Sequence, residues 1–482
     1  MEQCLKLLTQ ATGITCHSQE VLPGYIFVAI NGSRVNGNLF AEEAARRGAL
    51  AIVSDAPDTL PNLTIPVITV PNARQALAAL AANFYSHPSR DLYLVGVTGT
   101  NGKTTITCML EHIFRAAKFK TGLIGTVRTK IDSTFFPSQL TTPDAVKLQQ
   151  YLAQMRQCGV THAAMEVSAQ GIEMHRVDEV QFSCGIISNI CPDHLDFHGS
   201  FAGYLAAKKQ FFSLLAPTTP LIVNIADPYC RRLLAYSQSP TYTAAVDIPA
   251  DIEASDLILT AGGSTFYITV SRALPCINGR WLEPGRWRTQ LSLPGRHNIE
   301  NALLAAAAAF LHGIAPETVC RALAGFKGVE RRMSVSFSHG FTVIDDTALN
   351  PGSIDAVFTT LRQFEFRQLI VVNAIRGNRG PAINAANAAV FACWQKTCPY
   401  LLIVTASKDS VGANDLVSPT ERAAFIDTLR RYNAKFIYTE TLDSAIGCAL
   451  RHVRPGDAIA LLGAQGMDDG LKLLSAYLKQ TA

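Results

Sequence analysis

Short apolar runs alternate with helical patterns along most of the 482-residue chain. The runs at 92–97, 163–167 and 369–372 have the length of buried strands, and each is followed by a stretch with helical spacing of its apolar positions. Continuous apolar strands separated by helices are typical of a parallel sheet that carries helices on both faces. The pattern therefore predicts an α/β fold.

The predicted elements fall into three blocks, which we expect to be three domains at 1–90, 91–325 and 326–482. The first block has short strands at 25–30, 49–54 and 65–70 and a helix at 72–85, and it ends at Pro88, which disfavours helix continuation. In the central block, polar and apolar residues alternate at 264–270, which predicts an antiparallel insertion. The third block repeats the strand and helix pattern, with strands at 342–344, 401–404 and 458–462.

Composition narrows the class of protein. Hydrophobic residues make up 48% and charged residues 17% of the chain, which excludes a disordered protein. The longest apolar run, 302–311, is too short to cross a bilayer, and the N-terminus lacks the pattern of a secretory signal, so we expect a cytoplasmic protein without membrane insertion. The net charge of +4 demands no nucleic-acid partner. The 12 cysteines include no CxxC pair and are expected to be reduced thiols.

The sharpest local signal is a glycine-rich turn between a predicted strand and a predicted helix. It comprises Gly99, Thr100, Asn101, Gly102, Lys103, Thr104 and Thr105. Glycines let the backbone N–H groups converge on phosphates, Lys103 adds a full charge, and Thr104 can offer its hydroxyl to Mg²⁺. The order of strand, loop and helix favours a nucleoside triphosphate site over an incidental turn, but it does not specify the reaction.

Motifs further along the chain resemble those of the Mur ligase superfamily. Besides the phosphate loop, these are Met165-Glu166-Val167-Ser168 with His175-Arg176-Val177, the segment 193–199 (DHLDFHG), Ala206-Ala207-Lys208, the pair Asn298 and Asn301, and Arg332-Met333. Within that family the N-terminal block and Thr141-Thr142-Pro143-Asp144 are most similar to the UDP-N-acetylmuramoyl-tripeptide synthetases. The resemblance implies a three-domain ligase with a central phosphate-loop domain and a Rossmann-like C-terminal domain.

The resemblance also implies a reaction. ATP would phosphorylate a carboxylate to an acyl phosphate, which an amino acid then attacks to form an amide, on a UDP-linked muramoyl peptide of peptidoglycan synthesis. Because several anions must meet, metal ions and basic side chains are the expected catalysts.

Site roles follow from the resemblance, residue by residue. Catalysis falls to Lys103, His194 and Lys208, and Mg²⁺ would be bound by Thr104, Glu166, His194 and Lys208, with Lys208 converted to a carbamate. Beyond the loop 99–105, ATP would contact Asn298, Asn301, Arg332 and Asp345. The acceptor substrate would contact Ser18, Thr141, Thr142, Ser168 and Arg176.

Each role has a plainer alternative. Lys208 could be an exposed helix lysine, His194 a core histidine and Arg176 one half of a surface salt bridge. Asn298, Asn301 and Asp345 could cap helices, since Asn and Asp cap well.

The third block departs from the tripeptide synthetases. Residues 405–410 replace the DNPR motif of the enzymes that add diaminopimelate, and 463–468 replace their GKGHE segment, which disfavours diaminopimelate as the incoming amine. The loop 376–380 keeps two arginines around glycines, which suits an anion. Two other hypotheses remain open: a related ligase acting on a carboxylate of another pathway, and a nucleotide-binding regulatory protein.

Overall fold

The computed structural model describes residues 2–32, 35–193 and 195–480. Its strands form three larger sheets, one in each predicted block, and a two-stranded ribbon. The first sheet is parallel, in the order β1-β2-β3-β4, and α3 packs on it with its alanine face buried. Its elements are α1 (Glu2–Leu8), β1 (Gly13–Thr15), β2 (Tyr25–Ala29), α2 (Ala41–Arg46), β3 (Ala51–Ser54), β4 (Val67–Thr69) and α3 (Ala73–Phe84).

The central sheet has eleven strands, in the order β17-β14-β13-β12-β11-β10-β5-β9-β6-β7-β8. Its strands are β5 (Tyr93–Thr98), β6 (Thr121–Ile124), β7 (Arg128–Ile131), β8 (Thr134–Pro137), β9 (His162–Glu166), β10 (Cys184–Ile187), β11 (Leu221–Asn224), β12 (Thr241–Val246), β13 (Ile252–Thr260), β14 (Gly263–Val270) and β17 (Gly285–Leu291). The ribbon pairs β15 (Leu274–Pro275) with β16 (Trp281–Leu282). The helices of the central block are α4 (Lys103–Ala116), α5 (Ala145–Gln157), α6 (Ala169–Glu173), α7 (Leu195–His198), α8 (Phe201–Ser213), α9 (Pro228–Leu233), α10 (Arg296–His312) and α11 (Pro316–Gly325).

The middle strands of this sheet are parallel and buried on both faces. Two hydrophobic clusters cover them, one built around α4 and the alanine-rich α10 and the other around α5 and α8. Strands β13, β14 and β17 pair antiparallel, as the alternation at 264–270 predicts. The hairpin β7–β8 at the other edge has no counterpart among the predicted elements, because each strand has only four residues and Thr129 and Ile131 are the only buried ones in the pair.

The third sheet has the order β18-β19-β23-β20-β21-β22, and all its neighbours are parallel except β18 and β19. Its elements are β18 (Ser334–Ser338), β19 (Phe341–Asp346), α12 (Pro351–Leu361), β20 (Leu369–Ala374), α13 (Pro381–Thr397), β21 (Leu401–Thr405), α14 (Pro419–Arg431), β22 (Phe436–Thr439), α15 (Leu442–His452), β23 (Ala458–Leu462) and α16 (Gly470–Gln480). The α/β architecture with parallel sheets agrees with the sequence prediction. The carboxyl ends of parallel strands meet along one edge, where such sheets bind ligands.

Candidate active site

The phosphate loop connects β5 to α4 and is held in a shape that requires glycine. Gly99 and Gly102 have φ values of 141° and 87°, which side-chain-bearing residues rarely adopt. A Cβ atom on Gly99 would overlap the Ser188 hydroxyl, and one on Gly102 would overlap the Asn301 amide. The two glycines therefore allow the loop to lie directly against β10 and α10.

Lys103 begins α4 and folds its side chain back over the loop. Its Nζ donates to the carbonyl oxygens of Gly99 at 3.0 Å and Thr100 at 2.9 Å. Burial lowers the pKa of Lys103, although Glu166 and Asp193 partly oppose the shift. The ammonium is thus held at the centre of the loop, close to two carboxylates.

Glu166, at the carboxyl end of β9, faces the same loop. Its carboxylate accepts hydrogen bonds from the Thr104 hydroxyl at 3.0 Å and from the Thr126 backbone N–H at 2.7 Å. Arg332 reaches Thr104 from the start of the third block, with Nη2 and Oγ1 3.4 Å apart. A carboxylate beside a hydroxyl is the kind of oxygen donor pair that Mg²⁺ binds, so Thr104 and Glu166 fit the metal roles expected of them.

Lys208 lies on α8 and is 1% exposed, which excludes the alternative of an exposed helix lysine. Its Nζ donates to the Thr98 hydroxyl at 3.0 Å and to the Gly99 carbonyl at 2.8 Å. Burial, reinforced by the charge of Lys103, lowers the pKa of Lys208 well below its ordinary value. A buried lysine with two neutral oxygen partners beside a phosphate loop is a reactive amine rather than a surface charge.

His194 lies outside the described residues, but the residue before it is well placed. Asp193 is buried, and its carboxylate accepts from Arg376 Nη1 at 2.9 Å and from Asn350 Nδ2 at 3.0 Å. Asn350 also donates to Asn101 of the phosphate loop at 3.0 Å. These contacts join the third domain to the central one across the site.

Sequence reasoning missed this network of Asn101, Asp193, Asn350 and Arg376 as a unit. The four residues come from four separate segments, and only their arrangement in space links them. Asn101, Asp193 and Arg376 each lie in a segment that the sequence singled out, but nothing in the sequence linked them to one another or to Asn350.

The four central residues expected to contact the acceptor substrate lie together. The Thr142 hydroxyl accepts from the Ser168 N–H at 3.0 Å and donates to the Glu166 carbonyl at 2.9 Å. Arg176 donates to the Thr142 carbonyl at 2.9 Å, and the Thr141 hydroxyl lies 3.0 Å from that of Thr126.

The N-terminal residue expected to contact the acceptor lies elsewhere. The hydroxyl of Ser18 donates to Glu43 at 2.8 Å. Its neighbours His17 and Glu20, and not Ser18, are among the described residues that line a cavity of about 670 Å³ between the first two domains.

A smaller cavity of about 270 Å³ beside the phosphate loop is lined by Asn298, Asn301 and Arg332. Asp346 also lines it, and burial raises the pKa of this carboxyl to about 6. Asp345, which the resemblance assigned to ATP, accepts from Arg331 Nε at 3.2 Å and lies on the opposite side of β19 from Asp346, since adjacent residues of a strand face opposite ways.

The central cavity, of about 370 Å³, collects the charged side chains of the site. Six of the described residues that line it are basic, namely Lys103, Arg176, Lys208, Arg332, Arg376 and Arg379, and two are acidic, Glu166 and Asp193. A cavity with this excess of positive charge favours polyanionic reactants and stabilises negative charge that develops during phosphoryl and acyl transfer.

Comparison with known proteins identifies the family of this chain. Family models match three successive segments: "Mur ligase family, catalytic domain" at 10–85, "Mur ligase middle domain" at 97–309 and "Mur ligase, glutamate ligase domain" at 331–465. A UDP-N-acetylmuramyl-tripeptide synthetase of Deinococcus radiodurans is 31% identical over 471 residues, which cover 96% of this chain and 91% of the relative. The chain belongs to the Mur ligase family.

Further similar proteins belong to the same family. The UDP-N-acetylmuramoyl-L-alanyl-D-glutamate–2,6-diaminopimelate ligase of Halalkalibacterium halodurans is 35% identical over 387 residues, 78% of this chain and 76% of the relative. A solved diaminopimelate ligase superposes with a TM-score of 0.65 at 23% identity, covering 98% of this chain and 96% of that one. MurF from Acinetobacter baumannii superposes with a TM-score of 0.71 at 19% identity, over 99% of this ligase and 98% of that chain, which supports the fold.

Family membership confirms the expectation of an ATP-dependent enzyme that forms amide bonds, so the alternative of a regulatory protein is not needed. In the described part of the ligase, no helix is long and apolar enough to span a membrane.

Proposed function

We propose that this ligase uses ATP to activate the terminal carboxylate of a UDP-N-acetylmuramoyl dipeptide and joins it to an amino acid. The observation that carries the proposal is the convergence of Lys103, Glu166 and Lys208 on one phosphate loop, inside a cavity that the third domain closes with Arg376 and Arg379. The names of the tripeptide synthetase and diaminopimelate ligase relatives support the choice of acceptor.

Different residues of the cavity bind the two anionic reactants, ATP and the acceptor carboxylate. Lys103 and Arg332 neutralise the triphosphate as its terminal phosphoryl group moves to the carboxylate. Arg176, anchored to the Thr142 carbonyl, holds the acceptor end of the cavity. The adenine base lies in the cavity beside Asn298 and Asn301.

Thr104 and Glu166 would hold Mg²⁺ at the phosphates, and His194 and Lys208 would hold a second ion. When bound, these ions supply positive charge that reduces repulsion between ATP and the carboxylate. The described donors fit this role, because a buried carboxylate and a hydroxyl lie 3.0 Å apart beside the phosphate loop.

Lys208 serves this purpose as a carbamate. The neutral form of its amine, which burial favours by lowering the pKa, would attack CO₂, form a nitrogen–carbon bond and lose a proton, so that the side chain would offer carboxylate oxygens of the kind that Mg²⁺ prefers. Support comes from the burial of Lys208 and from its two neutral oxygen partners.

The test of function mixes the protein with ATP, Mg²⁺, UDP-N-acetylmuramoyl-L-alanyl-D-glutamate and hydroxylamine, which traps an acyl phosphate as a hydroxamate. We expect hydroxamate and ADP in equal amounts, and none with Lys103→Ala. Absence of hydroxamate with the wild-type protein would contradict the proposed acceptor, and the same assay with folate-type or free amino-acid carboxylates would then identify another.

The carbamate has its own test. Lys208→Ala should abolish turnover, and a short carboxylate such as propionate should restore part of it by supplying the missing oxygens. The exposed neighbour Lys209, which lies over the Tyr236 ring, provides a matched control, and Lys209→Ala should retain full activity. Turnover of Lys208→Ala at the wild-type rate would refute the assignment.

A further inference from the structure

Two arginines from different domains meet at the side chain of Met174. Arg74 lies in the first turn of α3, in the first domain, and its Nη1 donates to the Met174 sulfur at 3.5 Å. Arg176, in the central domain, donates to the same sulfur through Nη2 at 3.7 Å. One atom therefore brings two guanidinium groups together across a domain boundary.

The acceptors of these two arginines are all uncharged. A thioether sulfur accepts hydrogen bonds only weakly. The other contacts go to backbone carbonyls, from Arg74 Nη2 to Asn31 at 3.4 Å and from Arg176 Nη1 to Thr142 at 2.9 Å. In the described structure each guanidinium thus uses two of its five N–H donors, and none of these contacts is an ion pair.

The carboxylates of this neighbourhood accept hydrogen bonds at helix starts. Asp144 accepts the backbone N–H of Lys147 at 2.9 Å and caps α5, and Asp55 accepts that of Ala73 at 3.0 Å beside α3. Burial lowers the pKa of Arg176, while the charge of Asp144 opposes this shift and that of Arg74 adds to it. The two arginines are therefore held together without a direct ionic partner among the described residues, an arrangement that an anionic ligand would complete.

The arginine pair lies where two cavities adjoin. Arg176 lines the central cavity, and Asp144, whose charge acts on it, lines the cavity of about 670 Å³ between the first two domains. Gln139 and Leu140 line both cavities, so the two are neighbours. The Thr142 carbonyl that Arg176 contacts follows Leu140 by two residues. An elongated acceptor with one end in each cavity would pass close to this pair.

The backbone of Arg74 is positioned by its neighbours. Asn72, the N-cap of α3, accepts the backbone N–H of Arg74 at 2.9 Å. Its Nδ2 lies 3.4 Å from Nε2 of His175 in the central domain, and Asp178 holds the other ring nitrogen of His175 at 2.7 Å. A cap and a domain contact that do not involve the Arg74 side chain thus fix the start of α3. Replacing that side chain should leave the domains in place.

From these contacts we propose, resting on the ligase function above, that Arg74 is a binding residue for the acceptor. Arg74 and Arg176 together bind an oxyanion of that molecule which does not take part in the reaction. The acceptor carries such groups in its diphosphate and in the α-carboxylate of its glutamate. Guanidinium groups match the paired oxygens of both, and their charge-assisted hydrogen bonds are among the stronger ones.

The first test is the KM of the acceptor in hydroxamate formation, which requires no knowledge of the amine. Arg74→Met should raise that KM about tenfold or more, the effect of losing a charge-assisted hydrogen bond, and leave the KM of ATP within twofold. Arg74→Lys keeps the charge and should recover most of the loss. Arg90→Met, which changes an exposed arginine at the end of the same domain, is the matched control and should change neither KM.

Two altered acceptors identify the group that is bound. N-Acetylmuramoyl-L-alanyl-D-glutamate lacks the diphosphate, and UDP-N-acetylmuramoyl-L-alanyl-D-isoglutamine carries an amide in place of the α-carboxylate. The difference between wild type and Arg74→Met should disappear with the acceptor that lacks the bound group and persist with the other. Both compounds are also measured as inhibitors of the full acceptor, so that binding is compared where turnover is slow.

Urea unfolding distinguishes binding from packing. Without ligand, Arg74→Met should unfold at the wild-type midpoint or above it, because the variant removes one of two neighbouring like charges. The acceptor at one fixed concentration should stabilise the variant less than it stabilises wild type, since a weaker ligand shifts the folding equilibrium less. A lower midpoint together with undiminished stabilisation by the acceptor would assign Arg74 to domain packing and overturn the proposal.

The kinetic outcomes separate failure of this inference from failure of the proposed function. An unchanged acceptor KM in Arg74→Met overturns the role of Arg74, as do an equal rise with all three acceptors and an Arg74→Lys variant no better than Arg74→Met. In each of these cases wild type still forms hydroxamate, so the ligase function stands. Absence of hydroxamate from wild type with every acceptor removes the proposed function and the inference together.

Discussion

The ion pair between Arg376 and Asp193 joins the third domain to the central domain beside the phosphate loop, and its removal should impair catalysis far more than folding. The two side chains are 7% and 4% exposed, and their contact measures 2.9 Å. Breaking a buried pair by removing one partner costs about 3–5 kcal/mol, because the other charge stays buried. Arg376→Met keeps the volume and removes the charge.

Because the pair crosses between domains, this cost falls on domain closure rather than on the stability of either core. If closure is required in the transition state, 3 kcal/mol lowers kcat/KM by roughly 10²-fold and 5 kcal/mol by more than 10³-fold, at about 1.4 kcal/mol per factor of ten. The midpoint of urea unfolding should move little. The loss should appear in hydroxamate formation as well as in the full reaction, since Asn350 of the same network contacts the phosphate loop through Asn101.

A double-mutant cycle makes the test specific. Asp193→Asn and Arg376→Met should each reduce kcat/KM, and the double variant should be no worse than the poorer single variant, which gives a coupling energy at least as large as the smaller of the two single effects. Arg430→Met serves as the control on an exposed arginine of the same domain. Activity of Arg376→Met within threefold of wild type, or additive effects in the cycle, would refute the reasoning.

Three further predictions concern the phosphate loop, the loop 376–380 and the pH dependence of stability. Gly102→Ala places a side chain at φ 87° against Asn301, so the KM of ATP should rise at least tenfold, while Gly262→Ala, where a Cβ meets open space, should leave that KM unchanged. Glu421→Ala removes the acceptor of the Arg379 and Gly380 backbone N–H groups and should cost about 2 kcal/mol in urea unfolding, with Glu421→Gln less severe. Burial, with the charge of His312 at 2.8 Å, lowers the pKa of His162 to about 3. Below pH 6.5 the unfolded chain therefore binds a proton that the folded chain does not, so the free energy of unfolding should fall as the pH drops, by up to about 1.4 kcal/mol per pH unit. His162→Gln should make this pH dependence shallower.

The sequence by itself determined the classes of secondary structure and the position of the phosphate loop between β5 and α4. Parallel strands that are buried on both faces appear in the sequence as apolar runs. The phosphate loop appears as glycines at positions where other residues would not fit. The resemblance to family motifs assigned Glu166 and Lys208 to the site, and the fold places both side chains at the phosphate loop. Such information is carried by residues close together in the chain, so it can be read from the chain alone.

The tertiary structure decided which residues from distant segments act together. Asn101, Asp193, Asn350 and Arg376 form one network only because the third domain packs against the phosphate loop. Asp345 and Asp346 look equivalent in sequence, but the alternation of the strand turns Asp345 toward Arg331 and Asp346 toward the cavity beside the phosphate loop.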